Sequence, residues 1–301
     1  MWCSVYRLEK CDHLLLLSTG ENASRLYRRQ LLVSWVLAGG TMTCLLAWTA
    51  TIPSSLGTLQ AVVQLWKAVV MTVLVMQYSS LMLILADRYK RLHKRMEGLL
   101  NVIRIKKETV SLANFAWEPN IETVRYGCSI YSTVVPVTSE VNLIRQLYFD
   151  LFSISVEVNS YFSLQLFLLI IHLFFGIVNL SFLIALFVQD RDTNTPSGAS
   201  TDDAFYNAEM LLQKVAVLVA VVAPSERAAS RAREARRPLV AASLCAGLPH
   251  ELASQLLLFA HQLALTPPRH DAYGFFALDH SLLSTMATSV VTYTIFLIQL
   301  N

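Results

Sequence analysis

Long apolar runs, separated by stretches that are alternately basic and acidic or neutral, set the layout of this chain. A helix needs about 20 mostly apolar residues to cross a bilayer, and four runs meet that length. Residues 31–52 and 161–188 carry no charge, 61–86 carry only Lys67, and 281–300 are again uncharged. A fifth run, 208–223, is shorter and holds Glu209 and Lys214 in its first half, where long side chains reach an interface. The pattern predicts an all-α, polytopic membrane helical bundle with five visible transmembrane helices and cytoplasmic helical extensions.

Between the spans the period changes. Leu143, Leu147, Phe152, Ile154 and Val158 recur at roughly helical spacing and lead into the third span. Leu252, Leu256, Phe259 and Leu263 mark one face of an amphipathic helix. Pro267 and Pro268 end that helix, since proline donates no backbone hydrogen bond and restrains its predecessor. The loop from Asp190 to Asp203, with Pro196 and Gly198, reads as flexible.

Charge gives the runs a direction. Arg7, Lys10, Arg25, Arg28 and Arg29 precede the first span, whereas 53–60 hold no charge. Arg88, Lys90, Arg91, Lys94 and Arg95 follow the second, and Arg227, Arg231, Arg233, Arg236 and Arg237 follow the fourth. The loop 189–207 has Arg191 against Asp190, Asp192, Asp202 and Asp203. By the cytoplasmic bias of Lys and Arg, residues 1–30 form a cytoplasmic N-terminal segment. Residues 31–188 then comprise three spans with a cytoplasmic helical segment at 87–160, and 189–207 form an extracellular loop. A fourth span at 208–223 leads into a cytoplasmic anchor at 224–280, and 281–301 form the last span. The N-terminus is expected inside and the C-terminus outside, in the plasma membrane.

Composition agrees with this layout. Hydrophobic residues make up 54% of the 301 and charged residues 15%, against about a quarter in soluble domains; mean hydropathy is +0.48. A net charge of +3 gives no reason to expect nucleic acid. The five cysteines show neither CxxC nor zinc-type spacing, so reduced thiols, no metal and no cofactor are expected. The apolar stretch at 14–17 is too short for a cleaved signal peptide, and the first span serves as its own targeting signal.

The remaining candidates mostly read as structural. Asp279, His280 and Ser281 are hydrolase residue types, but neighbouring helical positions diverge and no nucleophile elbow surrounds Ser281, so no catalytic residue is assigned. Asn22-Ala23-Ser24 fits a glycosylation sequon on the wrong side of the membrane. Asp87-Arg88-Tyr89 reads as a basic membrane boundary. The arginines from 227 to 237 either bind anionic headgroups or form a solvated helix face. His172 reads as a neutral imidazole bonded to a neighbouring helix. Lys67 is costly in a bilayer and either snorkels outward or belongs to a ligand site.

The C-terminal third carries a more specific pattern. Gly274-Phe275-Phe276, then Asp279, Leu282 and Leu283, then Thr292-Tyr293 with Gln299 in TYTIFLIQL, resemble the signature of the insect gustatory receptor family. DRYKRL at the end of the second run fits the same family more loosely, and Leu300 stands where the family usually has an aromatic residue. The resemblance implies seven spans with the N-terminus inside, so five spans ending outside are expected of a member lacking its first two.

It further implies a tastant-gated cation channel subunit of sensory neurons, assembled as a homo- or hetero-tetramer in membrane lipid. The last helix would line the pore through Thr292, Tyr293, Phe296 and Gln299. Lys67 and Tyr293 are candidates for the tastant site, with Gly274, Phe275, Phe276 and Asp279 forming the turn. Thr292 and Tyr293 also read as packing residues. A G protein-linked receptor would need an outside N-terminus, and a secondary transporter would need broken helices and charges at midplane.

Overall fold

The computed structural model describes residues 55–115, 123–193, 201–244 and 250–300. Six helices occupy nearly all of them: α1 (Ser55–Phe115), α2 (Thr123–Thr193), α3 (Thr201–Glu234), α4 (Arg236–Ser243), α5 (His250–Leu265) and α6 (His280–Leu300). Two short antiparallel strands, β1 (Asp271–Ala272) and β2 (Phe276–Ala277), form a hairpin between α5 and α6. Among the described residues four helical stretches are long and apolar enough to cross a membrane: Trp66–Ile103, Val137–Gln189, Ala204–Ser243 and His280–Leu300. Each overlaps one predicted run. The remaining run, 31–52, lies outside the described residues, as do 194–200 of the 189–207 loop and the N-terminal basic residues; the ends of that loop, 189–193 and 201–207, continue α2 and begin α3.

The chain divides into two compact units. One takes Ile84–Val158 and Arg227–Arg269; the other, among the described residues, takes 55–83, Asn159–Glu226 and 270–300.

The first unit is built on helix stripes of mixed apolar and aromatic residues. Leu85, Tyr89, Leu92 and Met96 of α1 are buried, as are Val141, Ile144, Leu147, Tyr148, Leu151 and Ile154 of α2. Both sets follow the three-and-four spacing of a helix face. The α2 stripe differs from the expected one. Leu147 and Ile154 belong to it, but Leu143, Phe152 and Val158 lie at its margin, half-buried, because the true repeat runs through Val141, Ile144 and Tyr148. On α5 the expected face is the observed one: Leu252, Leu256, Phe259 and Leu263 are all buried, and the helix stops at Leu265, just before the two prolines.

Tyr148 joins these stripes, its ring 5.8 Å from that of Tyr89 and 6.1 Å from that of Phe259. Arg95 and Glu140 pair at 2.7 Å. On α3 and beyond it Ala228, Ala229, Ala232 and Ala235 are buried, whereas Arg227, Arg231, Arg233, Arg236 and Arg237 are exposed. Small residues let backbones approach closely on one side, which leaves the arginines on the other.

The second unit contains a proline inside a helix. Pro224 sits within α3 and cannot donate to the carbonyl of Ala220, four residues back. Ser79 of α1 donates to that carbonyl instead, at 2.7 Å. The adjacent Ser225 hydroxyl donates to the Val221 carbonyl at 2.8 Å and lies 2.8 Å from the Tyr78 hydroxyl. In lipid a freed backbone group has no water to turn to and must find a neighbour. Tyr78 is fully buried, with its ring edge-on to Phe162 at 5.6 Å.

Candidate functional site

Within the second unit, the hairpin and the helix that follows it hold most of the predicted functional residues. The turn depends on its sequence. Tyr273 and Gly274 have φ of 56° and 75°, the mirror-image turn whose two central residues both need positive φ. Glycine adopts this freely, whereas tyrosine does so at a cost. Compensation comes from Asp271, whose carboxylate accepts from the Gly274 amide at 2.9 Å, and from the turn bond between the Phe275 amide and the Ala272 carbonyl at 3.1 Å. Packing adds to it: the Phe167 ring of α2 lies 6.2, 5.1 and 6.1 Å from those of Tyr273, Phe275 and Phe276. The Asp271 amide donates to the Asn159 side chain at 3.1 Å, and the Leu278 amide to the His270 carbonyl at 2.9 Å.

His270 at the hairpin's base is buried, and among the described residues neither ring nitrogen has a hydrogen-bond partner. Burial pushes its pKa down from 6.5 to about 4, and the neighbouring Asp271 carboxylate only partly opposes this.

Asp279 then starts the last helix. Its carboxylate accepts from the amides of Ser281 and Leu282 at 3.0 and 3.3 Å, satisfying donors that a helix start leaves free. Of the predicted turn residues, Gly274 therefore supplies the left-handed position, Phe275 and Phe276 pack on Phe167, and Asp279 is the cap.

Leu282 and Met286 are the buried residues of α6. Its exposed side is unusual for an apolar helix. At 100° per residue, Ser281, Ser284, Thr285, Thr288, Thr292 and Gln299 share one face, with Ile295 and Phe296 at its upper part, and all of them are exposed. Ser284 donates to the Ser281 carbonyl, Thr288 to that of Ser284 and Thr292 to that of Thr288, at 2.9, 3.0 and 3.0 Å. With their protons turned inward onto the helix, these three hydroxyls offer lone pairs outward. Thr292, Phe296 and Gln299 thus lie together, while Tyr293 sits to one side, its ring edge-on to Phe174 at 5.9 Å.

Ser284, Thr285 and Thr288 were not singled out from the sequence, although their spacing from Thr292 and Gln299 was visible there. Lys67 stands on the exposed surface of α1, electrostatically coupled to His172 of α2 and Lys214 of α3. The Lys214 side chain crosses Gly176 of α2, and its ammonium would come within 2.9 Å of any Cβ placed there. Sequence reasoning set Lys214 near an interface and missed this contact.

Residues 5–300 match the family model described as 7tm chemosensory receptor. Among solved structures, the insect olfactory receptor OR5 from Machilis hrabei is similar in fold. It is 15% identical, with a TM-score of 0.60 over 99% of this chain and 75% of that one. A structure of the same receptor in complex with eugenol gives 14% identity and a TM-score of 0.46, over 98% of each chain. No curated protein sequence matches significantly.

Proposed function

This chain belongs to the 7tm chemosensory receptor family, within the insect chemoreceptor superfamily, and from that premise we propose that it is a gustatory receptor subunit forming a ligand-gated cation channel. It is a multi-pass membrane protein. The observation that carries the channel reading is the exposed face of α6. A helix facing lipid gains nothing from a row of hydroxyls and an amide along one side, whereas a helix facing an aqueous path does. Inward-donating hydroxyls and the Gln299 carbonyl oxygen present acceptors, which suit a partly hydrated cation. Ile295 and Phe296 on the same face would form the apolar constriction that closes by dewetting. The face is incomplete in one copy, so several copies around an axis, four by the family resemblance, would enclose the path.

The gustatory assignment rests on Gly274-Phe275-Phe276, Asp279, Thr292-Tyr293 and Gln299 standing together. In this reading the N-terminus is cytoplasmic, the C-terminus faces outward, and a small tastant shifts the equilibrium by binding the open arrangement more tightly.

Cysteine accessibility under voltage clamp tests the reading. In cells expressing the full chain, Thr292→Cys and Gln299→Cys should make ligand-evoked cation current sensitive to a charged thiol reagent. Val290→Cys, on the opposite side of α6, should not. Equal sensitivity at all three positions would remove the pore assignment. A tag at the N-terminus that stains intact cells would remove the topology and favour a G protein-linked receptor.

A further inference from the structure

Lys67, His172 and Lys214 come from three helices of one unit and carry like charge or none. The Lys214 chain lies against the α2 backbone, where a Cβ at Gly176 would meet Cε at 2.8 Å and Nζ at 2.9 Å. Gly176 stands near the middle of the uncharged run 161–188, so the ammonium lies deep among apolar residues. His172 is one turn earlier on α2, hence on the same face as Gly176. Lys67 is near enough to act on both. Among the described residues no carboxylate forms an ion pair or hydrogen bond with Lys67 or Lys214.

Two ammonium groups drawn toward each other in a medium of low dielectric repel each other, and Lys214, half-buried against α2, has lost part of its hydration. Packing alone would be served as well by Met or Leu. Ionisable residues retained inside a membrane mark a functional site, with a partner of opposite sign.

We propose that Lys214 and Lys67, with His172 beside them, receive an anionic group, so that the ligand of this receptor is an apolar molecule ending in a compact anion such as a carboxylate. The inference rests on the receptor reading and names its ligand class. The same chemistry can come from a soluble carboxylate or from the headgroup of an anionic lipid.

The test uses the full chain in phosphatidylcholine nanodiscs, with hexanoate and hexanamide as probes and thermal unfolding and calorimetry as readouts. Hexanoate should bind saturably, about tenfold or more tighter than hexanamide, the difference expected of a hydrogen-bonded charge. Lys214→Met should remove that preference and leave hexanamide unchanged, and Lys67→Met should reduce it. Gly176→Leu keeps every charge but displaces Lys214, and should act like Lys214→Met.

If the anion is a headgroup, discs containing phosphatidylserine should stabilise the protein in a Lys214-dependent way, and hexanoate should add nothing. Equal binding of hexanoate and hexanamide without a phosphatidylserine effect would overturn the proposal. So would anion-dependent stabilisation that survives Lys214→Met. Because binding is read without current, conduction evoked only by neutral compounds would sink this inference and spare the channel reading. Lys214-dependent hexanoate binding without conduction would do the reverse.

Discussion

At His270 burial and chemistry oppose each other. The neutral ring is tolerated, but a protonated ring would place a charge in a buried site where neither nitrogen has a partner among the described residues. Its pKa lies near 4 when folded, against 6.5 for an unperturbed imidazole, so the unfolded chain binds the extra proton first. Stability from this residue is full above pH 6.5 and falls as pH drops toward 4, by at most roughly 3 kcal/mol over the whole shift. His270→Phe should flatten the pH dependence of the unfolding midpoint between pH 7 and pH 4.5. An unchanged slope would place the acid sensitivity elsewhere. Gln299 offers a second prediction at this scale. Gln299→Arg should place like positive charges around the path and cut cation current by about tenfold or more, seen as a reversal potential shifted away from that for cations. The Gln was legible from the motif. His270 was not, because burial of a histidine is decided by the fold and not by the residue type.

Among the elements, α3 owes its passage through Pro224 to α1. Ser79→Ala should cost about 1 kcal/mol, within the range of interhelical hydrogen bonds in membranes. Most of that cost should vanish when Pro224→Ala restores the helix's own donor to the Ala220 carbonyl. A double-mutant cycle on detergent-solubilised protein measures the coupling, and strictly additive effects would show that Ser79 does not serve that carbonyl. At the head of α6, Asp279→Ala should cost about 1 kcal/mol by loss of the cap, whereas Asp279→Asn should cost only part of that. Sequence periodicity placed these helices because apolar runs of that length have few alternatives. On α2 it marked Leu147 and Ile154 of the buried stripe but also Leu143 and Phe152, each one position from a buried residue, since which residues of a mostly apolar helix meet protein and which meet lipid is decided by the neighbours.

At the scale of the whole molecule, an all-α membrane protein with basic flanks was written into length, hydropathy and charge. Those are properties of each segment against its solvent and need no knowledge of contacts. The family signature near the C-terminus was likewise local, held in a turn, a cap and one helix. If the exposed face of α6 is shared among copies, the purified protein should run as a tetramer by native mass spectrometry. Cross-links between Gln299→Cys chains should then join subunits; a purely monomeric species would leave that face without its path.

What the sequence could not hold was the meeting of distant residues. Ser79 finds the carbonyl that Pro224 frees, and Phe167 supports a strained Tyr273. Lys214 lies on Gly176 of α2, one turn from His172. Each pairing joins groups from separate elements of the chain, and the number of ways to pair them is large. Hydropathy and charge fixed which segments enter the membrane, because that balance is struck residue by residue. Packing chose which faces and which charges came together, because shape and unmet polar groups admit few of those pairings at once.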